Sequence, residues 1–130
     1  MIFTTITMLP STTYGVPSGN YDGSSLDWFS DGVPAANYYK GQGNIQTITI
    51  DISDFYGIIS LQASLGTLKE SASWAEVSRF ENPNLNSGFV HTSSPITGVF
   101  PFTQIGNYVW LRAEILDFTA GTINSITVAY

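Results

Sequence analysis

His91 is the only histidine in a chain that has no cysteine, and those two facts remove much of the chemistry open to 130 residues. A Cys/His zinc site and a Cys–His nucleophilic pair both need parts that are missing. A Ser-His-Asp triad would need only His91, one serine and an acid. No nucleophile-elbow motif is present, however, and the Gly15-Val16-Pro17-Ser18-Gly19 stretch matches no phosphate-binding pattern. A lone histidine near a turn reads as a surface or hydrogen-bonded residue. Two carboxylates suffice for glycoside hydrolysis, and Asp51, Asp54, Glu76, Glu81, Glu114 and Asp117 are the candidates. All six fall on outward strand faces or beside turns, where solvated acids are the ordinary explanation.

Asp22, Asp27 and Asp31, with Asn20, lie in an irregular segment and offer the oxygen ligands that calcium takes on loops. Their spacing departs from the EF-hand pattern, and turn formation by Asx residues explains them without a metal. The expectation is therefore no cofactor, with calcium at these three aspartates as the alternative. The aromatic residues say more. Tyr108 and Trp110 share a strand face with Arg112 and Glu114, opposite Val109, Leu111, Ala113 and Ile115. One face is therefore core, and the other is a half-buried surface that needs covering. The cover is the segment before residue 44, an oligomer interface or a sugar on a stacking platform. Trp28 and Tyr38 join Tyr108, Trp110 and Arg112 as candidates for interface or ligand contact.

The elements that must position these residues are strands. Gln46, Ile48, Ile50 and Ile52 alternate with Ile45, Thr47, Thr49 and Asp51, and Ile59, Leu61, Ala63 and Leu65 alternate with Ser60, Gln62 and Ser64. Ser53–Gly57 reads as the turn between these two strands. Ile2–Met8 starts the chain as a strand, and Ser73–Phe80 is a partly covered one with no clean apolar face. Phe89–Thr92 and Val99–Thr103 are short, Asn107–Leu116 is central, and Ile123–Tyr130 closes the chain after a turn at Phe118–Gly121. Residues 11–43 carry many glycines and prolines with aromatics between them. This pattern predicts a well-packed long loop with short strands near Leu26–Phe29 and Asn37–Lys40. No stretch keeps a helical apolar period. The expectation is one all-β domain over residues 1–130, an antiparallel two-sheet sandwich, jelly-roll-like, of eight to ten short strands, with a closed barrel as the alternative.

Composition sets the outer bounds. The apolar share of 43% and aromatic share of 14% supply a core, and a chain this long buries roughly two thirds of its unfolded surface. Four Lys and Arg against ten Asp and Glu give a net charge of −6. Lys40, Lys69, Arg79 and Arg112 are scattered, which argues against nucleic acid and against anionic membranes. No apolar run approaches membrane-spanning length, and the first residues lack the layout of a signal peptide.

The C-terminal third, Phe102-Thr103-Gln104-Ile105-Gly106-Asn107-Tyr108-Val109-Trp110-Leu111-Arg112-Ala113 followed by Gly121-Thr122-Ile123-Asn124-Ser125-Ile126-Thr127-Val128-Ala129-Tyr130, resembles the ending of small β-sandwich structural proteins of tailed bacteriophages, those of marine and cyanobacterial hosts above all. The Ile59–Leu65 and Trp74–Val77 segments fit the same layout. The resemblance implies a virion component (neck, tail, fibre-associated or capsid-surface) assembled in the host cytoplasm and bound to copies of itself or to other virion proteins. It carries over no catalytic residue. A non-enzymatic assembly protein is thus the first functional expectation. A carbohydrate-binding module, serving adsorption to a host glycan, is the alternative.

Overall fold

The computed structural model describes residues 5–38, 43–66, 73–82 and 96–130. Phe89–Thr92, His91, Lys40 and Lys69 lie outside them. The described residues contain eight strands and no helix: β1 Thr5–Leu9, β2 Thr12–Thr13, β3 Trp28–Phe29, β4 Val33–Pro34, β5 Ile45–Ser64, β6 Ala75–Asn82, β7 Ile96–Ile105 and β8 Trp110–Ala129. All their pairings are antiparallel. The all-β antiparallel sandwich expected from alternation is the architecture observed.

Two of its strands are much longer than the alternation suggests. β5 and β8 each run for 20 residues and pair with one another along nearly their whole length. β7 and then β6 continue the free edge of β5, while β4, β3, β2 and β1 line the far edge of β8. The segment expected to be a long loop carries three two-residue strands laid against β8, one of them, Trp28–Phe29, within the short strand expected near Leu26–Phe29.

Both expected turns prove to be bends inside these long strands. Asp54 and Asp117 adopt φ of 53° and 52°, a left-handed conformation that Asp tolerates better than most residues. A fully buried phenylalanine follows each, Phe55 and Phe118, and the two rings stack 5.8 Å apart. Gly57 and Gly121 complete the two bends. A Cβ on Gly57 would come within 2.9 Å of the Leu116 carbonyl, and one on Gly121 would collide with the carbonyls of Ser53 and Asp54. Each bend thus closes against the backbone of the other, and strands that change sheets through such bends make the corners of a sandwich. Side chains cap the two aspartate N–H groups: Asp54 donates to Thr97 Oγ1 at 2.9 Å and Asp117 to Asp27 Oδ1 at 3.1 Å.

Past the corner the sheet faces itself across a single core. Ile48, Ile50 and Ile52 from one half join Ile59, Leu61, Leu111, Ala113 and Ile115 from the other, all nearly inaccessible. Burial of each large aliphatic side chain contributes about 1.5–3 kcal/mol. The halves also bond directly. Tyr130 donates its hydroxyl to the Pro34 carbonyl at 3.1 Å, and buried Gln46 accepts from the Ala36 N–H at 3.1 Å while donating to the Gln104 carbonyl at 2.7 Å.

Register shifts explain where simple alternation fails. In β6 a shift opposite Leu61 and Gln62 places Glu76 across from Gln62 and Arg79 across from Ser60, so the two charges share a face. Val77 and Phe80 then both pack on the core side, which resolves the mixed faces read from the sequence. In β8 a shift at Asn124 lets Ile123 and Ile126 both reach the core. The extra residue is put to use, since Asn124 donates to Asp51 Oδ1 and Ser53 Oγ, each at 3.0 Å.

Candidate functional site

Four strands in the order β6, β5, β8, β3 present one outer face. Register fixes its rows: Glu76, Gln62 and Arg112 lie across from one another in one, and Arg79, Ser60, Glu114 and Phe29 in the next. Arg112 is its centre. The guanidinium carbon sits 4.1 Å from the centroid of the Phe29 ring and 4.4 Å from that of Trp74, so an aromatic face covers it on each side. Its Nε donates to Gln62 Oε1 at 2.7 Å, and Gln62 Nε2 donates in turn to Glu114 Oε1 at 3.2 Å. Burial beneath the rings lowers the Arg112 pKa, and the Glu114 charge opposes that shift. An arginine starts so high that it stays protonated throughout.

Glu76 is held as firmly. The Ser60 hydroxyl donates to its Oε1 at 2.6 Å, and the Arg79 Nε donates to the same oxygen at 3.0 Å. The Ser60 bond, followed by the Arg79 bond, keeps the Glu76 carboxyl below its ordinary pKa. The face is therefore a hydrogen-bonded polar layer with one cation fixed between two rings.

The candidates named from the sequence are distributed differently from the expectation. Arg112 is at the centre, with Trp110 beside it on β8. Trp110 is half-buried, with Tyr38 edge-on to it at 4.9 Å, so the segment before residue 44 covers part of this face. Tyr108 precedes β8, where alternation does not yet apply. It lines a groove of about 500 Å³ with Ala63, Ser64, Ala75 and Val77 at the end of the sandwich. Trp28 is only 6% exposed and packs on Tyr21 and Phe118 in the core. Its place there follows from pairing: Trp28 is opposite Ile115 and points inward, which turns Phe29, opposite Glu114, outward. Phe29 and Trp74 are the site residues that sequence reasoning misses. The signal that finds them is the period of two, applied to a two-residue strand and to the face Trp74 shares with Glu76.

The calcium candidates do not gather. Among the described residues no three His, Asp or Glu side chains are placed to hold a metal ion. Each aspartate has its own local bond instead. Asp27 caps the corner at Asp117, and Asp31 Oδ1 accepts from the Asn20 amide at 3.0 Å. Asp22 caps a turn, accepting from the Ser25 hydroxyl at 2.7 Å and from the Ser24 and Ser25 N–H groups. The Ser25 hydroxyl first, then those N–H groups, lower its pKa from 3.8 to about 2. A carboxyl depressed on folding supports the fold above its ordinary pKa and loses that support as pH falls from about 4 towards 2. A carbon-detected NMR titration of the Asp22 carboxyl should give a midpoint near 2, and Ser25→Ala should move it towards 3.8. A midpoint already at 3.8 in the native chain contradicts this turn geometry.

No protein-family model and no curated protein sequence matches this chain. Several solved structures are similar to it. The SPBc2 prophage-derived protein YomS matches 98% of this chain and 91% of its own at 12% identity, with a TM-score of 0.54. The family 29 carbohydrate-binding module CBM29_1 from Piromyces equi covers 98% and 91% at 10% identity, with a TM-score of 0.45. The chitosan-binding module 1 of a Paenibacillus sp. IK-5 chitosanase/glucanase covers 98% and 93% at 14% identity and the same TM-score, 0.45. The prophage-derived protein, at 12% identity and a TM-score of 0.54, shows a common fold and nothing finer.

Proposed function

We propose that this chain is a non-enzymatic virion structural or assembly protein that works by protein–protein contact through the outer face of β6, β5, β8 and β3. The observation that carries this reading is the arginine between two rings. Arg112 is already ordered by Phe29, Trp74 and Gln62, so a partner meets a fixed cation and loses little side-chain entropy in binding it. Arginine and tryptophan are among the residues that dominate protein interfaces. The virion assignment rests on the resemblance of the C-terminal strands, and a prophage-derived protein of the same fold is in keeping with it.

The glycan reading has less to stand on. A sugar stacks on an open aromatic face, and here the facing sides of Phe29 and Trp74 are taken by the guanidinium. Glycan-array screening together with light scattering over a concentration series separates the two. The contact reading expects no glycan signal and a mass above the monomer that grows with concentration. A strictly monomeric chain with a glycan signal abolished by Trp74→Ala would overturn it.

A further inference from the structure

We infer that the partner this face fits is a second copy of the same chain, bound about a two-fold axis; the inference rests on the contact reading above. Its basis is the order of the charges. In the row of Gln62 the acid Glu76 is on β6 and the base Arg112 on β8, whereas in the row of Ser60 the base Arg79 is on β6 and the acid Glu114 on β8. The four charges alternate like the squares of a board.

A surface of this kind is complementary to itself. In an isologous dimer the two-fold lies in the plane of the interface, and every contact occurs twice. A two-fold along β5 exchanges the positions of β6 and β8, bringing Arg112 over Glu76 of the second copy and Glu114 over its Arg79. A two-fold across the strands exchanges the rows, bringing Arg112 over Glu114 of the second copy. Both operations set unlike charges opposite each other, and neither sets like charges together. A partner of uniform charge would meet two unfavourable residues whichever way it docked.

Two further observations point the same way. The four charges sum to zero, on a chain whose net charge is −6, so copies meet here without the repulsion that the rest of the surface imposes. Arg79 is already paired with Glu76 of its own chain, its Nη2 2.9 Å from Glu76 Oε1, while the other three charges keep atoms that no described residue bonds. Arg112 bonds Gln62 through Nε alone, and Glu76 and Glu114 accept through Oε1, leaving Oε2 of each without a bond to any described residue.

The test is a pair of charge-converted chains. Arg79→Glu with Arg112→Glu makes the face wholly acidic, and Glu76→Lys with Glu114→Lys makes it wholly basic. Like charges placed opposite one another cost several kcal/mol, so each variant alone should weaken self-association about a hundredfold or more. Mixed one to one, the two variants should recover a species of twice the monomer mass by light scattering. Far-UV circular dichroism confirms that each is folded. The inference is overturned if the native chain is monomeric, if either variant associates as the native chain does, or if the mixture stays monomeric. Association that persists in both variants moves the contact to another surface and leaves an assembly role intact. A monomer that binds glycan removes that role as well.

Discussion

Gly121→Ala is expected to cost more than about 4 kcal/mol, a large part of the about 5–15 kcal/mol that holds a typical domain folded. Two effects combine at this position. The φ of 89° disfavours any side chain, and a Cβ would collide with the Ser53 and Asp54 carbonyls of the facing bend. Gly15 isolates the first effect, since it has a φ of 84° but no neighbouring atom within 4 Å of where a Cβ would sit. Gly15→Ala should therefore lose only about 1 kcal/mol. Urea denaturation of the two variants measures the difference. Equal losses would mean that the two bends do not close on each other as described.

Phe118→Ala is expected to lose about 3–5 kcal/mol, the usual range for emptying a buried phenylalanine site. Phe118 is fully buried, and its ring meets those of Tyr14, Tyr21, Trp28 and Phe55 at 5.2–6.0 Å between centroids. It joins the corner of β8 to the corner of β5 and to the segment that carries β2 and β3. Loss of near-UV circular dichroism should accompany the lower urea midpoint, because the aromatic cluster would no longer be held in one arrangement. Tyr14→Ala, at an exposed position of the same cluster, should cost far less. A Phe118→Ala loss below about 1 kcal/mol would show that this cluster does not hold the corner.

Much of the fold is legible in local alternation. The inward set Ile48, Ile50 and Ile52 and the inward set Leu111, Ala113 and Ile115 both follow from a period of two, because each lies in an unbroken stretch of strand. The errors fall where a residue breaks the period. Asp54-Phe55-Tyr56-Gly57 has the chemistry of a turn, and a corner within a strand uses that same chemistry. Only the pairing of Ser53 with Thr122 and Tyr56 with Ala120, far away in sequence, distinguishes the two. The shift in β6 is equally invisible locally, since it is set by how Leu61 and Gln62 meet the opposing strand.

The site is legible in the same partial way. Arg112 stands out because Trp110, Arg112 and Glu114 oppose a clean aliphatic face. Phe29 and Trp74 do not, because their roles depend on which strand edge they reach. Trp28 shows the converse: named as a contact candidate, it is buried by its pairing with Ile115.

Sedimentation velocity of the native chain beside Trp74→Ala, at matched concentrations, tests the contact face most directly. Removing the indole uncovers one side of the Arg112 guanidinium while leaving the core residues in place. The contact account predicts that the native chain sediments faster than a monomer as concentration rises, and that Trp74→Ala remains monomeric. Identical sedimentation of the two chains, at any mass, would contradict it.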